Sequence, residues 1–180
     1  MLIKENCGLI IVDVQGRLAQ MVHNSDALLV NTRKLIECCQ LLAIPIIWLE
    51  QNPKGLGETL PELSDLLKQS SKVFEKFHFN ALYEPEIATA IKATGKQQWL
   101  VAGIEAHVCV YQTVMGLLNA GYETEVVIDC IASRMQSNIE VAIAKMQQKG
   151  ASISSLEMSV FELLNSAKSD EFKGILPIIK

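Results

Sequence analysis

The sequence predicts an α/β protein with a Rossmann-like, three-layer α/β/α fold around a doubly wound, mostly parallel six-stranded sheet. Short apolar runs rich in β-branched residues alternate with segments whose apolar residues recur at helical spacing. This alternation is typical of strand–helix–strand units, whose strands lie parallel beneath layers of helices. The length of 180 residues suits one ordinary domain with its own core. We therefore expect a single domain over residues 1–180, since no linker or internal repeat divides the chain.

Six runs of the chain are predicted strands. Leu9–Val12 is short, continuous and β-branched, as expected of a strand that is buried on both faces. Ser71–Phe79 differs from the others because polar and apolar residues are mixed in it. The remaining four runs continue the alternation with helices: Ile46–Leu49, Gln98–Ala102, Glu125–Ile128 and Ala151–Ser154.

Helical periodicity predicts six helices. Ser25–Leu42 carries its leucines at helical spacing, and Asn24 or Ser25 is a candidate N-cap. A glycine just past the last helical residue is typical of a helix C-terminus, and three predicted helices end in this way, at Gly95, Gly121 and Gly150. The other predicted helices are Leu60–Leu67, Glu84–Ala93, Ala106–Ala120, Gln136–Gln148 and Ser159–Asn165, and Pro53–Gly57 is a predicted loop.

Composition and charge exclude several classes of protein. Hydrophobic residues make up 49% and charged residues 20% of the chain, which excludes a disordered protein. The net charge of −4 leaves no basic excess for a phosphate backbone, so we expect no nucleic-acid partner. A membrane-spanning helix needs about 20 apolar residues, and every apolar run here is much shorter. No signal peptide is recognisable either, so we expect no membrane partner. Five cysteines fit free thiols in a reducing cytoplasm better than a disulfide framework.

Two candidate residues follow strands at the edge where parallel sheets bind ligands, beyond the carboxyl ends of the strands. Asp13 ends the first strand; it is either a turn or capping residue or a functional carboxylate. Cys109 lies near the start of the helix after Gln98–Ala102. Amide dipoles there lower the pKa of a thiol, whereas a free cysteine is otherwise a small buried hydrophobe. The second interpretation applies to the other four cysteines, Cys7, Cys38, Cys39 and Cys130.

Lys76 and the histidines are the remaining candidates for catalytic or metal-binding side chains. Lys76 lies among aromatic residues and is either a surface lysine or, beside a carboxylate and a thiol, the cation that holds both anions. His107 precedes Cys109 by two positions, and such residues do not face each other on a helix. The histidines and cysteines have no metal-ligand spacing, and no glycine-rich phosphate motif is present. We therefore expect neither a metal ion nor a cofactor.

Three motifs in order carry a family resemblance. Asp13 in VDVQ, Lys76 in EKFHF and Cys109 in GIEAHVCV together resemble the Asp–Lys–Cys triad of the isochorismatase-like cysteine hydrolases, which include nicotinamidases and N-carbamoylsarcosine amidase. The resemblance runs over nearly the whole chain. It is nearest to the isochorismatase domain-containing subgroup through Glu50–Leu63 and Gly103–Thr113. It implies the isochorismatase-like hydrolase fold.

The resemblance implies a mechanism for these residues. Asp13 would accept the thiol proton of Cys109, whose thiolate would attack an amide carbonyl, and Lys76 would hold the Asp13 carboxylate. A cis peptide at Ile104–Glu105 would direct the backbone amides of Glu105 and Cys109 at one point, an oxyanion hole. Asp13 would then return the proton to the leaving amine, and water would release the thioester.

The resemblance also bears on metal and substrate. Metal-dependent nicotinamidases carry Asp-x-His after the second strand, but Glu50–Asn52 contains no histidine, so we expect no metal and a substrate other than nicotinamide. Enzymes acting on isochorismate lack the cysteine, which argues against that substrate too. Position alone suggests a pocket for a small, largely uncharged ligand, with ordinary core as the alternative for Trp48 and the phenylalanines; its candidate residues are Gln15, Leu18, Trp48, Phe79 and His107.

A non-hydrolytic redox sensor or binding protein on the same scaffold is the alternative function. A sensor would often place a resolving cysteine near Cys109, and Cys130 is the candidate. The resemblance implies a homo-oligomer, a dimer or higher. The apolar tail Gly174–Ile179 would dock either on its own core or on a neighbouring subunit.

Overall fold

The computed structural model describes residues 1–180 and contains one six-stranded sheet. Its strand order is β3-β2-β1-β4-β5-β6, and every neighbouring pair is parallel. This confirms the predicted fold class, with a sheet that is wholly rather than mostly parallel. The strands are β1 (Cys7–Val12), β2 (Ile46–Gln51), β3 (Val73–Lys76), β4 (Gln98–Ile104), β5 (Glu123–Ala132) and β6 (Ser152–Ser154).

Helices connect the strands, and each predicted helix is present. Three short helices were not predicted: Gly16–Met21, Pro53–Leu56 and Phe172–Ile179. The first two lie in segments with residues typical of turns, and the third contains a proline. The helices are α1 (Gly16–Met21), α2 (Ser25–Leu41), α3 (Pro53–Leu56), α4 (Pro61–Leu67), α5 (Pro85–Ala93), α6 (Tyr111–Asn119), α7 (Gln136–Gln148), α8 (Leu156–Leu164) and α9 (Phe172–Ile179). A π-helical turn, Ala106–Val110, precedes α6 and takes the place of the predicted first helical turn. None of the helices has both the length and the apolar character needed to span a bilayer.

Apolar side chains form one core layer on each face of the sheet. Alternate residues of β1 enter opposite layers, with Leu9 and Ile11 in one and Ile10 and Val12 in the other. The first layer packs under α2, α4, α8 and α9, and the second under α5, α6 and α7. Burial on both faces explains why the strand runs lack polar alternation.

Strand β5 differs most from its predicted bounds. It covers ten residues, whereas its apolar run predicts only Glu125–Ile128. Its pairing with β4 shifts between Val101 and Gly103, so extra residues of β5 bulge out beside Ala102. The exposed Asp129 lies in this bulge and interrupts the hydrophobic pattern that sequence analysis follows.

The chain order reverses beside β1, which lies between β2 and β4 at the centre of the sheet. Ligands bind doubly wound sheets at such a reversal, beyond the carboxyl ends of the strands. Val12 and Gly103 are paired at this edge. The segments that follow them, which carry Asp13 and Cys109, therefore start side by side.

Replacing Gly103 by alanine is expected to lower the free energy of unfolding by about 3 kcal/mol or more. The new Cβ would lie 2.0 Å from the Val12 carbonyl oxygen, at a φ of +125° that L-residues rarely adopt. Urea denaturation measures the loss. Gly95→Ala is the control, because its φ is +70° but nothing lies within 4 Å of an added Cβ; about 1 kcal/mol is expected there. Equal losses would contradict the close approach of β4 to β1.

The C-terminal segment docks on the chain's own core. Helix α9 packs against α2, and Ile175 is fully buried. Lys34 Nζ donates to the carbonyl oxygen of Ile179 at 3.0 Å. Of the two expected docking places, the structure thus shows the intramolecular one.

Candidate active site

Three elements bring Asp13, Lys76 and Cys109 together at the carboxyl edge of the sheet. Asp13 follows β1, Lys76 ends β3, and Cys109 lies in the π-helical turn after β4. Lys76 Nζ donates to Asp13 Oδ2 at 2.7 Å. Cys109 lies close enough to both for each charge to shift its pKa. The exposed fractions are 4% for Asp13, 0% for Lys76 and 7% for Cys109, so the cluster is almost closed to solvent.

The backbone holds Asp13 in an uncommon conformation. Its φ is +52°, which aspartate tolerates better than most residues. The N–H of Asp13 donates to the Leu49 carbonyl, and its own carbonyl accepts from the N–H of Gln15 at 2.8 Å, closing a tight turn. Side-chain Oδ1 is buried and has no hydrogen-bond partner. Such unpaired buried atoms are rare, and this one is an acceptor available for a proton.

The ammonium group of Lys76 contacts three acceptors, all inside the protein. Its Nζ donates to Asp13 Oδ2 and to Gln51 Oε1, each at 2.7 Å, and approaches the His78 carbonyl at 3.4 Å. Phe74 and Lys76 share the inward side of β3, whose burial alternates along the strand. The interpretation of Lys76 as a surface lysine is therefore wrong: its body and its charge are both buried.

Burial dominates the electrostatics of the pair formed by Asp13 and Cys109. It raises the pKa of Asp13 more than Lys76 and the neighbouring Cys109 thiol lower it, and the charge of Glu50 raises it further. Burial, then the Asp13 charge, raise the pKa of the Cys109 thiol to about 12, against the opposing effect of Lys76. The lowered thiol pKa expected from the helix start is thus not found. At this pKa the Cys109 thiol is protonated at neutral pH, and Asp13 is the adjacent carboxyl group.

A salt bridge anchors the segment between β4 and Cys109. The Ile104–Glu105 peptide bond is cis. Arg134 donates to the Glu105 carboxylate from Nε at 2.8 Å and from its backbone N–H at 3.2 Å. Burial raises the pKa of Glu105, but the hydrogen bonds and charge of Arg134 more than offset it, so the carboxylate pKa is lowered. The Glu105 carbonyl accepts from the N–H groups of Val108 and Val110, which builds the π-helical turn.

Two of the predicted pocket residues make hydrogen bonds that hold the end of β2 and the loop after it. The amide of Gln15 donates to the carbonyls of Gln51 and Gly57 and accepts from the N–H of Gln51 at 2.7 Å. Trp48 is buried in the core, and its indole N–H donates to Thr59 Oγ1 at 2.8 Å. For Trp48 the structure therefore favours the core alternative, and the polar atoms of Gln15 are directed at backbone.

The other predicted pocket residues differ in exposure. His107 is half-buried, with Nδ1 2.9 Å from Ser133 Oγ and Nε2 3.4 Å from Asn138 Nδ2, so its ring is oriented by two partners. Leu18 is half-buried and packs on the core. Phe79 is 50% exposed, so the core alternative does not apply to it.

Cys130 lies too deep to act as a resolving cysteine. It is fully buried in the core layer under α2, whereas Cys109 belongs to the layer on the other face of the sheet. The candidate resolving cysteine of the redox-sensor alternative therefore lies in a different core layer from Cys109. All five cysteines are free, and the other four have no exposed surface.

Sequence reasoning missed the residues that support the cluster. Gln51 contacts Lys76, Arg134 holds Glu105, and Glu50 is a buried carboxylate that accepts from the Thr59 N–H at 2.6 Å. No three acidic, histidine or cysteine side chains are grouped so that they could hold a metal ion. One signal in the sequence was the polar pair Glu50–Gln51 at the end of an otherwise apolar strand, where the Glu50–Leu63 segment of the resemblance begins.

Comparisons with family models, curated proteins and solved structures agree with one another on the family of this chain. The isochorismatase domain model matches residues 7–158. Isochorismatase family protein 1B of Dictyostelium discoideum is 32% identical, covering 99% of this chain and 88% of the relative. The MAR1 ribonuclease structure from Caenorhabditis elegans has a TM-score of 0.90 and 31% identity, covering 99% of this chain and 91% of that one. YcaC from Pseudomonas aeruginosa, solved with hexane-2,5-diol and covalent acrylamide, has a TM-score of 0.92 and 26% identity, covering 98% and 90%.

Proposed function

The chain belongs to the isochorismatase domain family, and on this premise we propose that it is a metal-independent cysteine hydrolase of a small amide or related C–N substrate. One observation carries the proposal. The buried Asp13–Lys76 ion pair lies beside the thiol of Cys109, and both residues act on the pKa of that thiol. A nucleophile, an adjacent base and a cation that orients the base are the parts that covalent catalysis requires.

The proposed reaction has two halves. In the first, Asp13 takes the Cys109 thiol proton while the sulfur attacks the substrate carbonyl. The resulting oxyanion is held by the backbone amides of Glu105 and Cys109. Collapse of this adduct breaks the C–N bond, Asp13 gives its proton to the leaving nitrogen, and a thioester remains on Cys109. In the second half, Asp13 deprotonates a water molecule that hydrolyses the thioester and returns the proton to the sulfur.

The raised pKa values of Asp13 and Cys109 support this division of labour. A buried thiol with a pKa of about 12 stays protonated at neutral pH and depends on an adjacent base to become a nucleophile. A carboxylate with a raised pKa is a stronger base than an exposed aspartate. Lys76 compensates the negative charge that the two groups share throughout the cycle.

The site and one relative support the proposed substrate class. A nearly closed cluster admits a small acyl group, and the YcaC structure contains covalent acrylamide, a small amide. The nematode relative is named a ribonuclease. RNA is the less suitable substrate here, because the chain has a net charge of −4 and a thioester route does not cleave phosphodiesters.

Assembly and location complete the proposal. The exposed aromatic side chains of Phe77, Phe79 and Tyr83 follow Lys76 closely in the chain and support a homo-oligomer of two or more copies. Five free cysteines support a reducing compartment, the cytoplasm. The redox-sensor alternative lacks a resolving cysteine, since Cys130 lies in the opposite core layer from Cys109.

Iodoacetamide at neutral pH is expected to modify Cys109 before the other four thiols. Cys109 alone is partly exposed and has a base beside it, while the others are fully buried. Peptide mass spectrometry over time gives each rate. Asp13→Asn is expected to slow the Cys109 reaction about 10²-fold, because the thiol loses its proton acceptor. Alkylation of Cys109 no faster than that of Cys38 or Cys130 would reject the proposal.

A further inference from the structure

Lys76 has a second strong acceptor besides Asp13, the side-chain amide of Gln51. Gln51 Oε1 lies 2.7 Å from Lys76 Nζ, the same distance as Asp13 Oδ2. Gln51 and Lys76 are paired residues of the parallel strands β2 and β3, so their side chains leave the sheet next to each other. Gln51 is buried, and its amide oxygen accepts from the ammonium without carrying a formal charge.

The orientation of the Gln51 side chain is fixed by its partners. Its Nε2 donates to the Phe77 carbonyl at 2.8 Å, which turns Oε1 toward Lys76. A flipped amide would place an NH₂ group against the ammonium and one carbonyl against another, so only one orientation is favourable. The backbone of Gln51 is held in turn by the amide of Gln15, which pairs with both its N–H and its carbonyl.

We propose that Gln51 is a positioning residue: a neutral acceptor that holds the Lys76 ammonium beside Asp13 and Cys109. The inference rests on the proposed function, because it assigns Gln51 a task in the activation of Cys109. Neutrality is the important property. Lys76 has to compensate Asp13 and the thiolate that forms, and a carboxylate in place of Gln51 would take part of that positive charge.

The charges around Lys76 make the site sensitive to one more carboxylate. Asp13 at the end of β1 contacts Lys76 and Cys109 in the π-helical turn lies beside it, while the charge of Glu50 on β2 acts on Asp13; all three are acidic groups. An added carboxylate would raise the free energy of every anionic state of this cluster. Proton release from the pair formed by Asp13 and Cys109 would then need a higher pH.

The test compares Gln51→Glu and Gln51→Leu by the rate of Cys109 alkylation with iodoacetamide across acid and neutral pH. Gln51→Glu is nearly isosteric and is expected to move the acid limb of the profile up by about one pH unit, lowering rates on that limb roughly tenfold. Gln51→Leu removes the acceptor without adding charge, so the plateau rate is expected to fall several-fold while the limb does not move up. The control Gln97→Glu adds the same charge at an exposed position before β4, at the opposite edge of the sheet, and is expected to shift nothing.

The outcomes separate this inference from the proposed function. If Asp13→Asn leaves the Cys109 profile unchanged, Asp13 is not the base and the proposed function fails. If Asp13→Asn slows Cys109 but both Gln51 variants keep the wild-type profile, only the inference on Gln51 is overturned. A purely structural Gln51 would change the urea midpoint of the variants and leave the pH profile of the folded protein in place.

Discussion

Cys109→Ala is expected to abolish hydrolysis, with a loss of at least about 10⁴-fold against any amide that the wild-type protein turns over. Without the sulfur no thioester can form, and the remaining groups can only bind and polarise the substrate. The fold is expected to persist, with the free energy of unfolding changed by no more than about 1 kcal/mol, because one small atom is lost at the rim of the core. Hydrolysis of amides, ureides and carbamoyl compounds, with urea denaturation alongside, measures both effects.

Cys130→Ala is the matched control for that variant. Cys130 is fully buried in the other core layer, away from Asp13 and Lys76. We expect it to retain activity and to lose stability through the cavity it leaves. Equal activity of the two variants would show that Cys109 is not the nucleophile.

Lys76→Met is expected to destabilise the protein by about 3–5 kcal/mol at neutral pH, because it leaves the Asp13 carboxylate buried without its cation. Both side chains of the pair are almost inaccessible, so solvent cannot replace the lost partner. Urea denaturation at several pH values measures the deficit. The exposed Lys72, paired with Glu86 on the surface, is the control, and Lys72→Met is expected to cost less than about 1 kcal/mol.

The deficit of Lys76→Met has a defined pH dependence. The pKa of Asp13 is already raised in the folded protein by burial, and it rises further when Lys76 is removed. The folded variant therefore binds a proton more tightly than the unfolded chain does, so its stability relative to wild type recovers as the pH falls through the folded pKa of Asp13. Asp13→Asn added to Lys76→Met is expected to recover part of the loss at neutral pH. A deficit independent of pH and of Asp13 would contradict the buried pair.

Much of the fold was predictable because the residues of both core layers form recognisable hydrophobic patterns in the sequence. Strands buried on both faces, such as β1, read as continuous apolar runs, and each predicted helix has an apolar stripe. The exceptions have local causes. The bulge of β5 brings the exposed Asp129 into a strand, and α9 contains Pro177, which argues against a helix in a sequence.

The candidate site was predictable only where a residue lies in a recognisable motif. Asp13, Lys76 and Cys109 do so. Gln51 lies in the Glu50–Leu63 segment that carries the resemblance, but no role follows from that segment for Gln51, and the contacts of Gln51 and Arg134 depend on how the strands pair. Gln51 contacts Lys76 through the pairing of β2 with β3, and Arg134 contacts Glu105 because the parallel strands β4 and β5 end side by side.

The most direct test of the account is to trap the acyl-enzyme. The protein is incubated with a library of amides, ureides and carbamoyl compounds, quenched in acid and weighed intact, and the modified peptide is sequenced by mass spectrometry. We predict, for at least one compound that is hydrolysed, an adduct of its acyl group on Cys109 that hydroxylamine removes and that Cys109→Ala lacks. Hydrolysis that continues in Cys109→Ala without any acyl adduct would contradict the thioester mechanism.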